Sequence, residues 1–508
     1  EKSASAAGEK FTFMQKLRQF VSVLCEFLQH KAPFIEELEE EMQKLRKKRA
    51  LAVVERRSAD DNDEMLEVEA AVEAEKLAKC EYGTSAYVLH AATSAAQAAM
   101  AATKKQLDLS VKLDEFGRDV NQQKRMAVKR RADARHQRRT RKKFSSMDVD
   151  GMDIKVEGES STDESDSESA AYESNHELLL QTADRIFSDA FEDYSELLLV
   201  KERFERWKKE YPASYRDAYV SLSTPAIFSP YLRLELLKWD PLHKNTDFLS
   251  MKWHSLLFDY GMLEDRNTLD SETGDADINL VPELVKKVAV PILQREITHC
   301  WDIYSTRQTE NAVSATSLVI NYIETSSEAL EELLVAIRSR LDDAVAALVL
   351  PTWSPLILKA VPSAGSAAAY RFGMSMRLLR SIGFWKDILE ISVLEKLALD
   401  DVLHGKVLPH LQSISSNIHD AVTRTERVVA SLSGVWAGPN VRGDHRKKLL
   451  PLVDFVVSLS WTLEKRHLSG ASDETSGLAR RLEKMLIILD NYDEARKIAR
   501  TFHLDEAL

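Results

Sequence analysis

Two blocks of opposite charge stand back to back in the first third of the chain, and they limit where a folded core can form. Residues 124–143 (KRMAVKRRADARHQRRTRKK) hold eleven Lys and Arg against one acid, Asp133. Residues 148–173 hold ten acids against one base, Lys155. A net charge of −12 conceals both fields, so any basic surface is local and not a coat. Residues 146–171 are rich in Ser, Asp and Glu and almost free of large apolar side chains. Such a stretch cannot bury enough surface to offset the entropy of ordering, which predicts a disordered linker. The chain thus divides into residues 1–145, an acidic Ser-rich linker over 146–173, and residues 174–508.

Before the linker, Leu17, Phe20, Leu24, Phe27, Phe34, Leu38 and Leu45 fall on a heptad stripe, with Lys31, Glu41 and Lys48 interrupting it. Pro33 lacks an N–H and suits a first helical turn, so one helix is expected to end near His30 and another to start near Pro33. The second continues through EELEEEMQKLRKKR, acids first and bases last, as the helix dipole favours. A polar break is expected at residues 58–63, then helix formers over 64–79 and an Ala-rich helix over 84–105. The small side chains of the last call for a close neighbour. Residues 1–145 therefore read as a long helical hairpin or coiled coil ending in the basic segment.

Beyond the linker, Ser174-x-x-Glu177 is a capping box just ahead of three leucines. Phe187, Phe191, Tyr194, Leu198, Phe204, Trp207 and Tyr211 roughly hold one helical face. Thr224-Pro225 and Ser229-Pro230 each read as an N-cap followed by a first helical residue. They predict a short turn and then a helix over YLRLELLKW, stopping before Asp240-Pro241. Thr325-x-x-Glu328 is another capping box, Ser354-Pro355 starts a further element, and helical patterns cover 375–399, 406–432, 448–463 and 477–502. Gly (16) and Pro (13) are scarce, and neither strand-type alternation nor a fixed-period repeat emerges. The fold class is all-α, with a large multi-helix domain over 174–508.

Little in the sequence supports chemistry. Cys25, Cys80 and Cys300 are scattered, which argues against a disulfide framework or a zinc module. There is no phosphate loop, dinucleotide fingerprint or nucleophile elbow. His176-Glu177 runs into leucines instead of toward a second His, and His299-Cys300 is the one adjacent His/Cys pair, best explained by packing. In DVDGMDIKVEGE the glycine, Gly151, is fourth where a calcium loop needs it sixth. No catalytic residue, cofactor or metal is expected. Membrane insertion is not expected either, since no apolar run reaches ~18 residues; nor does the start resemble a signal peptide. Ser160, Ser161, Ser165, Ser167 and Ser169 lie among acids and suit an acid-directed kinase.

The basic segment has the clearest physical meaning. Lys129, Arg130 and Arg131 form one cluster, and Arg138, Arg139, Arg141, Lys142 and Lys143 another. This layout fits a two-part nuclear localisation signal, non-specific contact with RNA or phosphate, or a solvated helix face. It contains no aromatic residue, so base stacking and sequence-specific reading are not implied. Trp239 and Trp253 are expected in the core or on a partner-facing surface.

SLSTPAIFSPYLRLELLKWDPL (221–242) and MKWHSLLFDYG (251–261) resemble the GC-rich sequence DNA-binding factor family. LVLPTWSPLI, YRFGMSMRLLRSIGFWKDIL and LEKLALDDVLHGKVLPHL extend the resemblance over most of 174–508. APFIEELEEEM and RRSADDNDEM resemble its plant increased-level-of-polyploidy and animal Pax-binding branches. The resemblance implies a nuclear, non-enzymatic protein with an all-helical C-terminal domain. It implies one of two roles. The first is a scaffold of pre-mRNA splicing in the late spliceosome, acting with the intron-lariat complex and its disassembly. There the partners are a tuftelin-interacting-type G-patch protein, a DEAH-box helicase, and spliceosomal proteins and RNA. The second is a transcriptional repressor of cell-cycle and endoreduplication genes acting through DNA-binding partners. No zinc spacing, evident helix-turn-helix or basic region feeding a zipper is present, which favours the first.

Overall fold

The computed structural model describes residues 2–81, 83–107, 166–261, 276–438, 445–468 and 472–504, with residues 121, 122, 126, 129, 130, 133 and 441. Among the described residues the regular structure is helical, and an isolated bridge between Ser433 and Ala437 is the sole β-type pairing. The chain forms two compact units, Glu1–Ala52 with Glu164–Arg340 and Val53–Asp163 with Leu341–Leu508. Each is assembled from stretches far apart in sequence.

The expected break near Pro33 does not occur. Helix α1 runs unbroken from Lys2 to Cys80, 79 residues, through both Pro33 and the polar residues 58–63. Pro33 and Gln29, whose carbonyl loses its hydrogen bond, both lie on the exposed side. There the freed carbonyl faces water, which lowers the cost of an interior proline. At the second expected break, Asp61 is tied by a two-pronged pair from Arg371, at 3.0 and 2.7 Å.

The heptad register also gives way. Within the first unit the buried positions of α1 are Leu17, Phe20, Leu24, Leu28, Lys31, Ile35, Leu38, Met42 and Arg46. Most recur every eleven residues, 3.67 per turn, close to an unstrained helix and not the 3.5 of a left-handed coiled coil. As a result Phe34, a stripe residue in the heptad reading, is 47% exposed, and Ile35 takes its place in the core.

Within the first unit, α1 lays aromatic rings along its partners. Phe13 meets Tyr211 at 4.8 Å, Phe20 stacks on Tyr194 at 5.1 Å, and Phe27 meets Phe187 at 5.2 Å. Leu38 and Met42 pack with Ala183 and Leu237. Helix α3 (Asp166–Arg185) begins eight residues ahead of the expected capping box, so Ser174 and Glu177 lie in its interior. Glu168 suits the positive end of its dipole, and Tyr172 is held under the Arg49 guanidinium at 4.2 Å. The acidic residues 146–165 lie outside the described residues.

Helix α4 is Leu197–Glu210 and α5 is Val220–Leu236. The sequence predicted two starts where α5 is one helix containing both prolines. Pro225 leaves the Ser221 carbonyl without its usual amide, and the Thr224 hydroxyl donates to that carbonyl at 3.1 Å. Thr224 therefore repairs the helix instead of starting it. Short α6 (Lys252–Leu257), α7 (Val290–His299), α8 (Thr306–Ile320) and α9 (Glu328–Ala347) follow. Helix α9 starts at Glu328, so Thr325 sits in the preceding turn, and the Ser327 carbonyl accepts the Leu330 and Glu331 amides at 3.1 Å.

In the second unit, the last third of α1 and helix α2 (Ser85–Leu107) form a hairpin. Its turn needs Gly83, where a Cβ would lie 2.9 Å from the Ala78 carbonyl. The Ala-rich face of α2 finds its close neighbour: Ala92 and Ala96 pack with Val68 and Ala71 against Ile357 and Ala360 of α10 (Pro355–Ala360). Then come α11 (Ala364–Phe384), a π-helix over Lys396–Val407, α12 (Ile418–Leu432), α13 (Arg446–Leu468), α14 (Ser472–Ile488) and α15 (Tyr492–Thr501). Two expected long helices are split by asparagine caps: Asn417 accepts from the Asp420 amide and Asn491 from the Glu494 amide.

Candidate interaction surfaces

The basic segment is the first candidate. Lys129 and Arg130 are helical and exposed, while Arg131, Arg138, Arg139, Arg141, Lys142 and Lys143 lie outside the described residues. Two exposed cations on a helix surface can contact phosphate, but they do not form a shaped site.

Trp239 and Trp253 occupy the interior of the first unit, each fully shielded from solvent. Phe248 joins them, its ring 5.5 Å from Trp239 edge-on and 5.6 Å from Trp253. Backbone chemistry holds both in place. Glu235, one residue before the end of α5, accepts the Lys252 amide at 2.7 Å and the Trp253 amide at 2.9 Å, capping α6. Neither indole presents a surface to a partner.

Beside them lies a buried charge cluster that sequence reasoning did not single out. Arg46 projects from α1 and donates to Glu296 of α7 at 3.0 Å. Its second nitrogen donates to the carbonyls of Leu237 at 3.1 Å and Trp239 at 2.8 Å, at the end of α5. One guanidinium thus satisfies orphan carbonyls of one helix and a carboxylate of another. Both side chains of the pair are almost wholly buried, at 4% and 6% exposure. Burial alone would lower the Arg46 pKa, but Glu296 and Asp240 more than offset it, and the group is held charged. Asp240 works against burial too: the His243 hydrogen bond and charge, then Arg46, pull its carboxyl well below the usual range. A cavity of about 30 Å³ lined by Met42, Arg46, Arg233 and Glu296 adjoins the pair, room for about one water.

This arrangement is a clasp and has no reactive group. Cys300 is buried, and burial, followed by the charge of Glu296, pushes its thiol up, which favours the protonated form. Among the described residues no cluster of three His, Cys, Asp or Glu is placed to hold a metal ion. No described helix is long and apolar enough to cross a membrane. The signal for Arg46 was present in the sequence as spacing: Leu24, Ile35 and Arg46 follow at eleven-residue intervals.

Known proteins are similar to this chain in sequence. Residues 197–408 match the GC-rich sequence DNA-binding factor-like protein family. Transcriptional repressor ILP1 of Arabidopsis thaliana is 59% identical over 512 residues, covering 100% of this chain and 56% of that protein. PAX3- and PAX7-binding protein 1 of Mus musculus is 30% identical over 526 residues, 100% of this chain and 52% of that protein. Intron Large complex component GCFC2 of Mus musculus is 24% identical over 481 residues, 93% of this chain and 57% of that protein. The chain spans about half the length of these curated relatives. The family match opens with the first residue of α4 and runs through the clasp partner Glu296 and the buried tryptophans. Residues 197–408 are thus a GC-rich sequence DNA-binding factor-like domain, the family that the sequence resembles.

Proposed function

We propose that this chain is a nuclear, non-enzymatic scaffold of pre-mRNA splicing. It acts in the late spliceosome and the intron-lariat complex, and in their disassembly. Its partners in this reading are a tuftelin-interacting-type G-patch protein, a DEAH-box helicase, and spliceosomal proteins and RNA. The observation that carries the reading is the likeness, across 93% of the chain, to a protein named as an Intron Large complex component. A chain of packed helices whose buried charges are spent on holding those helices together suits a scaffold. The basic segment supports nuclear entry, and its cations supply whatever phosphate contact the scaffold makes.

A second reading is a transcriptional repressor acting through DNA-binding partners. The 59% identity to a relative named as a transcriptional repressor favours it. Tandem affinity purification from nuclei separates the two. A G-patch protein and a DEAH-box helicase among the recovered proteins support the scaffold, whereas promoter-bound factors and co-repressors without them support repression. Neutralising Arg138, Arg139, Arg141, Lys142 and Lys143 together is expected to hold a fluorescent fusion in the cytoplasm. Unchanged nuclear accumulation would remove the localisation reading.

A further inference from the structure

Helix α13, Arg446–Leu468, has two apolar faces. Leu449, Leu452, Val456, Leu459 and Leu463 are buried in the second unit. On the opposite side Leu450 is 49% exposed, Trp461 61% and Leu468 81%, with half-buried Val457 between them. The other described tryptophans are buried or half-buried. A helix that is apolar on both sides normally lies between two neighbours, and among the described residues the second is absent.

The spacing says what shape fits. Lys447, Leu450, Asp454, Val457, Trp461, Glu464 and Leu468 follow one another at alternating intervals of three and four. That is the seam a second helix covers, knobs into holes. An exposed Trp near the middle of such a seam is the residue type most enriched among binding hot spots.

The charges say which helix. Asp454 and Glu464 are exposed and make no ion pair or hydrogen bond among the described residues. A second copy of this chain running parallel would set each acid against itself. An antiparallel copy that matches Leu450 with Leu468 sets Asp454 against Glu464. Both self-pairings bring like charges together at the seam, which disfavours them. A helix carrying Lys or Arg at the two facing positions meets no such penalty.

We propose that this face of α13 docks an amphipathic helix of a partner protein, apolar opposite Leu450, Val457, Trp461 and Leu468 and basic opposite Asp454 and Glu464. The inference stands independently of the splicing reading. Two synthetic helical peptides test it on the full chain by fluorescence anisotropy. Both carry Leu at the facing apolar positions; one carries Lys opposite the two acids and the other Glu. The Lys peptide is expected to bind about tenfold or more tighter, an advantage of at least ~1.4 kcal/mol. Trp461→Ala is expected to cost about tenfold. Asp454→Lys with Glu464→Lys is expected to reverse the preference, which separates a binding role from a folding defect. Equal binding of both peptides, binding of neither, or a self-dimer in light scattering that Trp461→Ala dissolves would each overturn the proposal.

Discussion

Replacing Arg46 by Met keeps the aliphatic bulk of the side chain and removes its charge. Three consequences follow from the geometry. Glu296 is left as a buried carboxylate without its counter-charge, a loss of ~3–5 kcal/mol for a broken buried pair. The carbonyls of Leu237 and Trp239 lose a charged donor, ~1 kcal/mol each when no other donor takes its place. These terms overlap, so the net cost expected is ~4 kcal/mol, roughly a thousandfold in the local folding equilibrium. The variant Glu296→Leu alone strands the Arg46 charge. The double variant Arg46→Met/Glu296→Leu removes both charges and leaves the carbonyls as the main debt, so it should cost only ~2 kcal/mol. A chain with two compact units need not unfold in one step, so a single melting temperature would blur the effect. Hydrogen exchange read by mass spectrometry on peptides from α5 and from residues 237–242 reports the local opening directly. A loss of less than ~1 kcal/mol of protection in Arg46→Met, or a double variant that costs the sum of the two singles, would contradict the clasp.

Trp239→Ala is expected to cost ~3–5 kcal/mol, because the ring is fully buried against Phe248; a denaturation midpoint for the first unit within error of wild type would contradict this. His410 is expected to make the second unit acid-sensitive. Burial, then the nearby charge of Arg424, brings its pKa down from 6.5 to about 4, against the opposing pull of the Pro351 carbonyl. Its Nδ1 donates to that carbonyl at 2.6 Å, and its Nε2 accepts from Arg424 at 2.6 Å, so protonation breaks the second bond. With the folded value depressed, the unfolded chain takes up the proton first as pH falls. Stability is thus intact above pH 6.5 and declines toward pH 4, by about 3 kcal/mol in all. His410→Gln should flatten that decline in denaturant titrations at stepped pH, and an equally steep profile would argue against it. Iodoacetamide should modify exposed Cys25 and Cys80 on the native protein while buried Cys300 reacts only after unfolding, as peptide mass spectrometry would show.

Composition and periodicity carried the helical class and most helix positions, because burial of an apolar stripe is a local signal. What failed was local punctuation. Pro33, Pro225 and Pro230 read as starts, yet each lies inside a helix. For Pro33 the exposed side of α1 tolerates the lost bond, and for Pro225 the Thr224 hydroxyl supplies one. Neither compensation is visible without the fold. Reading α1 as heptads placed Phe34 inside and overlooked Arg46. Over short stretches a 3.5 and a 3.67 period share most positions, and only their drift over several turns separates them. The clasp itself was illegible, since Glu296 lies 250 residues from Arg46 in sequence. Trp239 and Trp253 could be placed in either the core or a partner face from the sequence, and their burial gives their location. The exposed Trp461 attracted no notice, because a buried helix and a helix awaiting a partner share one hydrophobic pattern.

A scaffold of the late spliceosome, as proposed, would hold excised introns. The most direct measurement is sequencing of the RNA retained by the tagged chain after gentle purification from nuclei, scoring reads that cross lariat branch points. Strong enrichment of branched introns together with the U2, U5 and U6 RNAs is the expected result. Retention of promoter chromatin with no excess of branched introns would contradict it and make repression the primary role.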